Sequence, residues 1–162
     1  MHSTDDVQEV DTGSFTISYR VHVAAPVETL WAIVVNPHRH HELDGGKSLS
    51  QKVTGPQELA LGDAFHIWMR QSGVPYTLPM LVVTAQPLQH IAWQHPAKHV
   101  WRWSFEVADD GGTWVAETFD YQQVPPWMLR LWKLVDVYGR NAANIRTTLH
   151  RLQERYAQEG HD

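Results

Sequence analysis

Residues 125–156 read PPWMLRLWKLVDVYGRNAANIRTTLHRLQERY, and the reading of this stretch decides the fold. Pro125-Pro126 opens it, and Leu131, Val135, Tyr138, Ala142, Ile145, Leu149, Leu152 and Tyr156 then recur in steps of four and three. That period predicts one amphipathic helix of about 25 residues, roughly 40 Å or more in length. A heptad stripe also suits a coiled coil. The strands that precede it need cover, however, so packing on a sheet is the better reading. Gly139 costs the helix about 1 kcal/mol relative to alanine and marks close packing or a bend.

Working back from the helix, strand-like runs alternate with turn signals. Val100–Ala108 and Thr113–Gln122 flank Asp109-Asp110-Gly111-Gly112, a good hairpin loop. Upstream, Ser48–Thr54, Asp63–Arg70, Leu78–Ala85 and Gln89–His95 are parted by Gly55-Pro56, Ser72-Gly73-Val74-Pro75 and Gln86-Pro87. Six strands in succession with short turns make an antiparallel meander. Ahead of them Phe15, Ile17, Tyr19, Val21 and Val23 alternate with Thr16, Ser18, Arg20 and His22, the pattern of a half-buried strand. Ala25-Pro26 then opens a helix carrying Val27, Leu30, Trp31 and Val34, which Asn36-Pro37 closes. His38 to Leu43 form a second short helix, stopped at Asp44-Gly45-Gly46. Residues 1–13 read as a flexible arm and 14–158 as a single ligand-binding domain.

Composition narrows the function. A chain of 162 residues, 43% hydrophobic and 19% charged, suits one globular domain. Thirteen Lys and Arg against eighteen Asp and Glu leave a net charge of −5, the wrong sign for a nucleic-acid partner. With no cysteine there are no disulfides, thiolate metal sites or cysteine nucleophiles. The start of the chain is acidic and polar, unlike a signal peptide, and no apolar run approaches the roughly 18 residues of a membrane span. A cytoplasmic protein without stable membrane insertion is therefore expected. Gly45-Gly46-Lys47-Ser48 resembles the end of a phosphate loop, but His41 stands where the first glycine is needed. Eight tryptophans suggest a ligand-lined interior or apolar contact surfaces, and eleven histidines suggest pH sensitivity.

Alternation assigns the inward faces. Phe65, Ile67 and Met69 oppose His66, Trp68 and Arg70; Trp101, Trp103 and Phe105 oppose Arg102 and Ser104. Trp93 shares a face with His95, and Glu117 with Phe119 and Tyr121. Glu117 is the candidate acid–base group, because a carboxyl in an aromatic cavity has its charged form disfavoured. The other reading gives it a rim position or a salt bridge to Arg102 or Arg130. Tyr76 is a candidate at the cavity mouth, and Asn144 a candidate hydrogen-bonding group beside the buried stripe. Trp31 and Trp132 are assigned to helix packing. Trp68 and Trp114, on the outer face, are the candidate patch for a homodimer. The densest polar cluster runs from His38 through His40, His41 and Glu42 to Asp44. It lacks the spacing of a metal site, so a solvated surface helix is preferred to a zinc or iron centre.

The order of elements resembles the helix-grip fold of the SRPBCC, or START-like (Bet v 1-like), superfamily over residues 15–157. Val23-Ala24-Ala25-Pro26-Val27-Glu28-Thr29-Leu30-Trp31 is similar to that superfamily's strand-to-helix step, and Asn36-Pro37 to its usual Asp-Pro. Leu61-Gly62-Asp63-Ala64-Phe65 and Gly112-Thr113-Trp114-Val115 are similar to its strand starts. The resemblance implies an α+β fold, with a curved antiparallel sheet of about seven strands around the long C-terminal helix and an apolar cavity between them. It further implies a small hydrophobic ligand, aromatic or polyketide-like. Cyclisation or dehydration by acid–base chemistry, without cofactor or metal, stands against a non-catalytic carrier or sensor of a hydrophobic molecule or lipid. His41-Glu42-Leu43-Asp44-Gly45 resembles a stretch in relatives of unassigned activity, which places His41 and Asp44 at the cavity mouth as acid–base partners. Arg70, whose counterpart binds polyketide oxygens in aromatase/cyclase relatives, falls here on the outer face.

Overall fold

The computed structural model of the chain describes residues 6–43, 49–71 and 73–159. Eight antiparallel strands form one sheet: β1 (Gln8–Glu9), β2 (Thr16–Val23), β3 (Leu49–Thr54), β4 (Ala64–Gln71), β5 (Val74–Gln86), β6 (His90–Gln94), β7 (Val100–Val107) and β8 (Thr113–Asp120). Their order across the sheet is β1-β2-β8-β7-β6-β5-β4-β3. Between β2 and β3 the chain crosses to the opposite edge through helix α1 (Val27–Val34) and a 3-10 helix, Pro37–Glu42. After β8 come α2 (Pro126–Leu134) and α3 (Val137–Glu159). The architecture is the α+β helix-grip fold, with α3 packed across β2 and β8.

The inward rows follow from alternation. Tyr19, Glu117, Trp103 and Ile91 pair across β2, β8, β7 and β6, and the adjacent inward row runs Phe119, Trp101, Trp93. Val21, Val115 and Phe105 make the next row and are buried. Trp31 of α1 closes this end, its ring edge-on to Phe105 at 5.8 Å. From α3, Ile145, Leu149, Leu152 and Tyr156 complete the core, as their period requires.

Four expectations need correction. Part of the arm is tied down, because Gln8–Glu9 pair with Arg20 and Tyr19 as an edge strand. Strand β5 starts at Val74, since Gln71 pairs with Val74 across a tight turn at Gly73, φ 81°. Pro75 and Pro79 are tolerated there because β5 pairs with β6 only from Leu81 onwards, leaving its first half on a free edge. The long helix is two helices, broken at Val135-Asp136. Asp136 adopts φ 51°, and its carboxylate accepts the Gly139 N–H at 3.1 Å, capping α3. A Cβ at Gly139 would meet that carboxylate at 2.5 Å, so the glycine serves the cap. Finally, Trp68 and Trp114 lie on β4 and β8, four strands or about 19 Å apart, and do not share a patch. Lys52 covers the first at 4.4 Å and Arg20 the second at 4.6 Å.

The cap gives a direct test. Asp136→Ala is expected to cost about 1–2 kcal/mol, read as a lower urea midpoint with unchanged slope. An unchanged midpoint would show that the break between α2 and α3 does not depend on this cap.

Candidate functional site

Between the sheet and α3 lies a cavity of about 480 Å³. Its floor is the two inward rows: Trp93 from β6, Trp101 and Trp103 from β7, and Glu117 and Phe119 from β8. Ile67 and Met69 of β4 and Tyr76, Leu78 and Met80 of β5 form one side. The roof comes from α3, where Asn141, Asn144, Ile145 and Thr148 follow at i, i+3, i+4 and i+7 and so share one face. The ends are closed by His40 of the 3-10 helix and Leu43 just past it, and by His95, Ala97, His99 and Trp132.

Glu117 stands mid-floor between the Tyr19 and Trp103 strands and is only 8% exposed. The alternative pairing with Arg102 is not adopted. Arg102 lies on the opposite face of the sheet, with its nearest guanidinium nitrogen 3.9 Å from Asp120.

Three imidazoles supply the polar ends. His40 is buried, its ring stacked on Trp93 at 4.8 Å and edge-on to Phe65 at 5.6 Å. Its Nε2 lies 2.7 Å from the Val34 carbonyl, so the neutral ring donates from Nε2 and keeps its lone pair on Nδ1. Burial lowers its pKa to about 4, against the opposing pull of the Val34 carbonyl; His38 and His41 depress it further. His95 and His99 flank the β6–β7 turn and stack at 4.2 Å. The backbone N–H of Ala97 donates to His95 Nδ1 at 3.3 Å, which places the His95 proton on Nε2. Burial lowers His95 to about 4. It also lowers His99 to about 3, with a smaller push from His95. His99 Nδ1 is buried with no partner among the described residues, while its ring packs on Phe119 and Trp132. At neutral pH all three rings are uncharged.

Of the residues singled out from the sequence, the cavity wall collects Glu117, Trp93, His95, Trp101, Trp103, Phe119, Tyr76, Met69 and Asn144. Asn144 sits at the rim and is largely exposed. Phe65 is fully buried one layer behind the wall, against His40 and Trp93. Tyr121 lies just past β8, stacked on Phe119 at 5.6 Å and against Tyr138 at 4.9 Å, and takes no part in the wall. His41 also lies off the wall. The reason is the pitch of the 3-10 helix: at three residues per turn it turns Pro37, His40 and Leu43 inwards together. Asp44 falls outside the described residues, as does the 45–48 stretch.

The polar cluster at 38–42 disperses for the same reason. His38 bonds the Gly55 carbonyl at 2.9 Å, His40 turns into the core, and Glu42 accepts from Arg39 and Arg155 at 2.8 and 3.0 Å. Among the described residues no three His, Asp or Glu side chains converge as metal ligands would.

Among the wall residues that escaped the sequence reading are His40, His99, Trp132 and Thr148. His40 needed the 3-10 period. His99 has the parity of Trp101 and Trp103 and was recoverable by extending that alternation one step. Trp132, expected to pack a helix, does so against Tyr138 of α3 at 6.2 Å and also faces Phe119 at 5.8 Å. Thr148 follows Asn144 by one helical turn.

No family model matches the chain. It is 37% identical over 153 residues, 93% of its length, to the uncharacterised protein Rv0088 of Mycobacterium tuberculosis H37Rv, of which the match covers 68%. Among solved structures it is similar to the polyketide-cyclase-like protein Cgl2372 of Corynebacterium glutamicum. There the TM-score is 0.66 at 19% identity, covering 91% of this chain and 94% of that one. It is also similar to the di-domain ARO/CYC protein StfQ of the steffimycin biosynthetic pathway. That match has TM-score 0.66 at 13% identity and covers 98% of this chain and 53% of the other.

Proposed function

We propose that the cavity of this chain, a relative of Rv0088 with the helix-grip fold of the polyketide-cyclase-like and ARO/CYC structures, holds a small aromatic or polyketide-like molecule. The observation that carries this reading is the aromatic floor: Trp93, Trp101, Trp103 and Phe119 line about 480 Å³, with Trp132 at one end. That volume lies within the usual range for drug-sized ligands, and flat rings offer stacking surface on every side. His40 offers a lone pair and His95 an N–H, so an uncharged ligand with hydroxyl or carbonyl groups would be oriented by both.

Two activities fit the cavity. As an enzyme, the protein would use Glu117 as the acid–base group in a cyclisation or dehydration. As a carrier or sensor, it would hold the ligand unchanged. The low pKa of His40, His95 and His99 makes these rings weak bases at neutral pH, so in either case they serve as hydrogen-bonding groups and Glu117 is the acid–base candidate. Ligand binding is the reading adopted, and Glu117 is the residue on which catalysis would turn.

Native mass spectrometry of the protein purified from its own organism is expected to reveal a co-purifying neutral hydrophobic molecule. An empty protein that also ignores a library of such molecules would refute the proposal. With the molecule in hand, Glu117→Gln decides between the two activities. Lost turnover with retained binding establishes the enzyme; no turnover by the unaltered protein establishes the carrier.

A further inference from the structure

Helix α2 has three faces. Met128, Leu129 and Trp132 are half-buried, the last on the cavity wall. Trp127, Leu131 and Leu134 follow at i, i+4 and i+7, a single helical face that Val135 extends just past the helix end, and the four are 63, 51, 84 and 51% exposed. Arg130 and Lys133 occupy the third face and are exposed as well. No residue of α2 is acidic, although the whole chain carries a net charge of −5. A helix on a folded domain ordinarily hides its apolar face; α2 has no fully buried residue and turns its largest apolar face outwards.

We propose that α2 docks this protein on an anionic bilayer surface. Trp127, Leu131, Leu134 and Val135 would enter the headgroup–acyl boundary, and Arg130 and Lys133 would lie against lipid phosphates. The arrangement is that of an interfacial amphipathic helix, with tryptophan and leucine on one face and cations beside it. Indole suits this depth because one edge is polar and the rest apolar. A nine-residue helix is about 14 Å long, far too short to span a bilayer. Among the described residues no helix is long and apolar enough to cross, so the docking is peripheral.

Charge and area both favour a bilayer over a second copy of the chain. The basic helix projects from an acidic protein, so its attraction is towards an anionic surface. The four side chains expose on the order of 500 Å², short of the roughly 800 Å² per partner that a stable interface buries. Docking does not depend on what the cavity holds. One consequence does rest on the cavity reading: Trp132 belongs to both helix and wall, so docking would bring that end of the cavity to the bilayer and let an apolar ligand pass without crossing water.

The test uses the full chain without added ligand. It measures co-flotation with phosphatidylcholine vesicles prepared with and without phosphatidylglycerol. Binding is expected to be at least about tenfold stronger with phosphatidylglycerol and to weaken as salt rises. The triple change Trp127→Ser, Leu131→Ser, Leu134→Ser is expected to abolish it, and Arg130→Glu with Lys133→Glu to remove the preference for anionic lipid. These residues are exposed, and an unchanged circular dichroism spectrum verifies that each variant folds. Absence of flotation by the unaltered chain, or undiminished flotation by the triple variant, overturns the proposal. So does self-association in sedimentation that the triple variant abolishes in the absence of vesicle binding; that result assigns the face to a second copy.

Discussion

Lowering the pH from about 7 to about 5 is expected to destabilise the folded chain by about 4 kcal/mol. His40 and His99 are 5% and 9% exposed, and burial holds them near pKa 4 and 3. In the unfolded chain both titrate near 6.5. Between those values the unfolded state binds protons that the folded state refuses. Stability rises with pH wherever the unfolded state binds more protons, so here it falls as acid is added. Each histidine then costs about 1.4 kcal/mol per pH unit below 6.5, which is about 2 kcal/mol at pH 5. His95 acts in the same direction but more weakly, being less buried. The lowered carboxyl of Glu42, held by Arg39 and Arg155, loses its contribution only below its ordinary value of 4.5, outside this window.

A loss of 4 kcal/mol is a large part of the 5–15 kcal/mol of a typical domain. Urea midpoints measured at the two pH values will show it as a marked fall. His99→Phe is expected to remove roughly half of the pH dependence, because a phenyl ring keeps the packing on Phe119 and Trp132 without a titrating nitrogen. Stability that is flat across this range would mean that the rings at the two ends of the cavity are hydrated, and the cavity account would lose its dry ends.

Much of this fold is legible in the sequence because alternation is a one-step rule. Phe65, Met69, Trp93, Trp101, Trp103, Glu117 and Phe119 all face inwards as their parity in each strand predicts, and Arg70 faces outwards. The chain resembles a helix-grip protein for the same reason: strands and helices occur in the order that fold needs. What escaped depends on local geometry that a pattern cannot supply. The step from His41 to His40 turns on a helix of three residues per turn instead of 3.6. The break at Asp136 turns on one residue with φ 51° and a side chain able to cap the following turn. The apolar stripe runs through that break without interruption, so periodicity alone joins α2 to α3. Tyr121 shares the parity of Phe119 but lies past the end of β8, where alternation no longer governs direction.

The central claim is that the cavity under α3 is a ligand site, and a plug tests it. Thr148 is 7% exposed and faces the cavity from the roof. Thr148→Trp adds on the order of 100 Å³ to a space of about 480 Å³. The new indole has room in the cavity, so the change is expected to leave the thermal midpoint within a few degrees while filling part of the space between α3 and the aromatic floor. A suitable probe is N-phenyl-1-naphthylamine, a neutral aromatic molecule of compact size. Typical ligand efficiencies give it a Kd on the order of 10 μM in an aromatic cavity. The decisive measurement is a calorimetric titration of this probe into the unaltered protein and into Thr148→Trp. The account predicts saturable 1:1 binding to the first and at least about a hundredfold weakening in the second. No saturable binding to the unaltered protein, or equal binding to both, would contradict it.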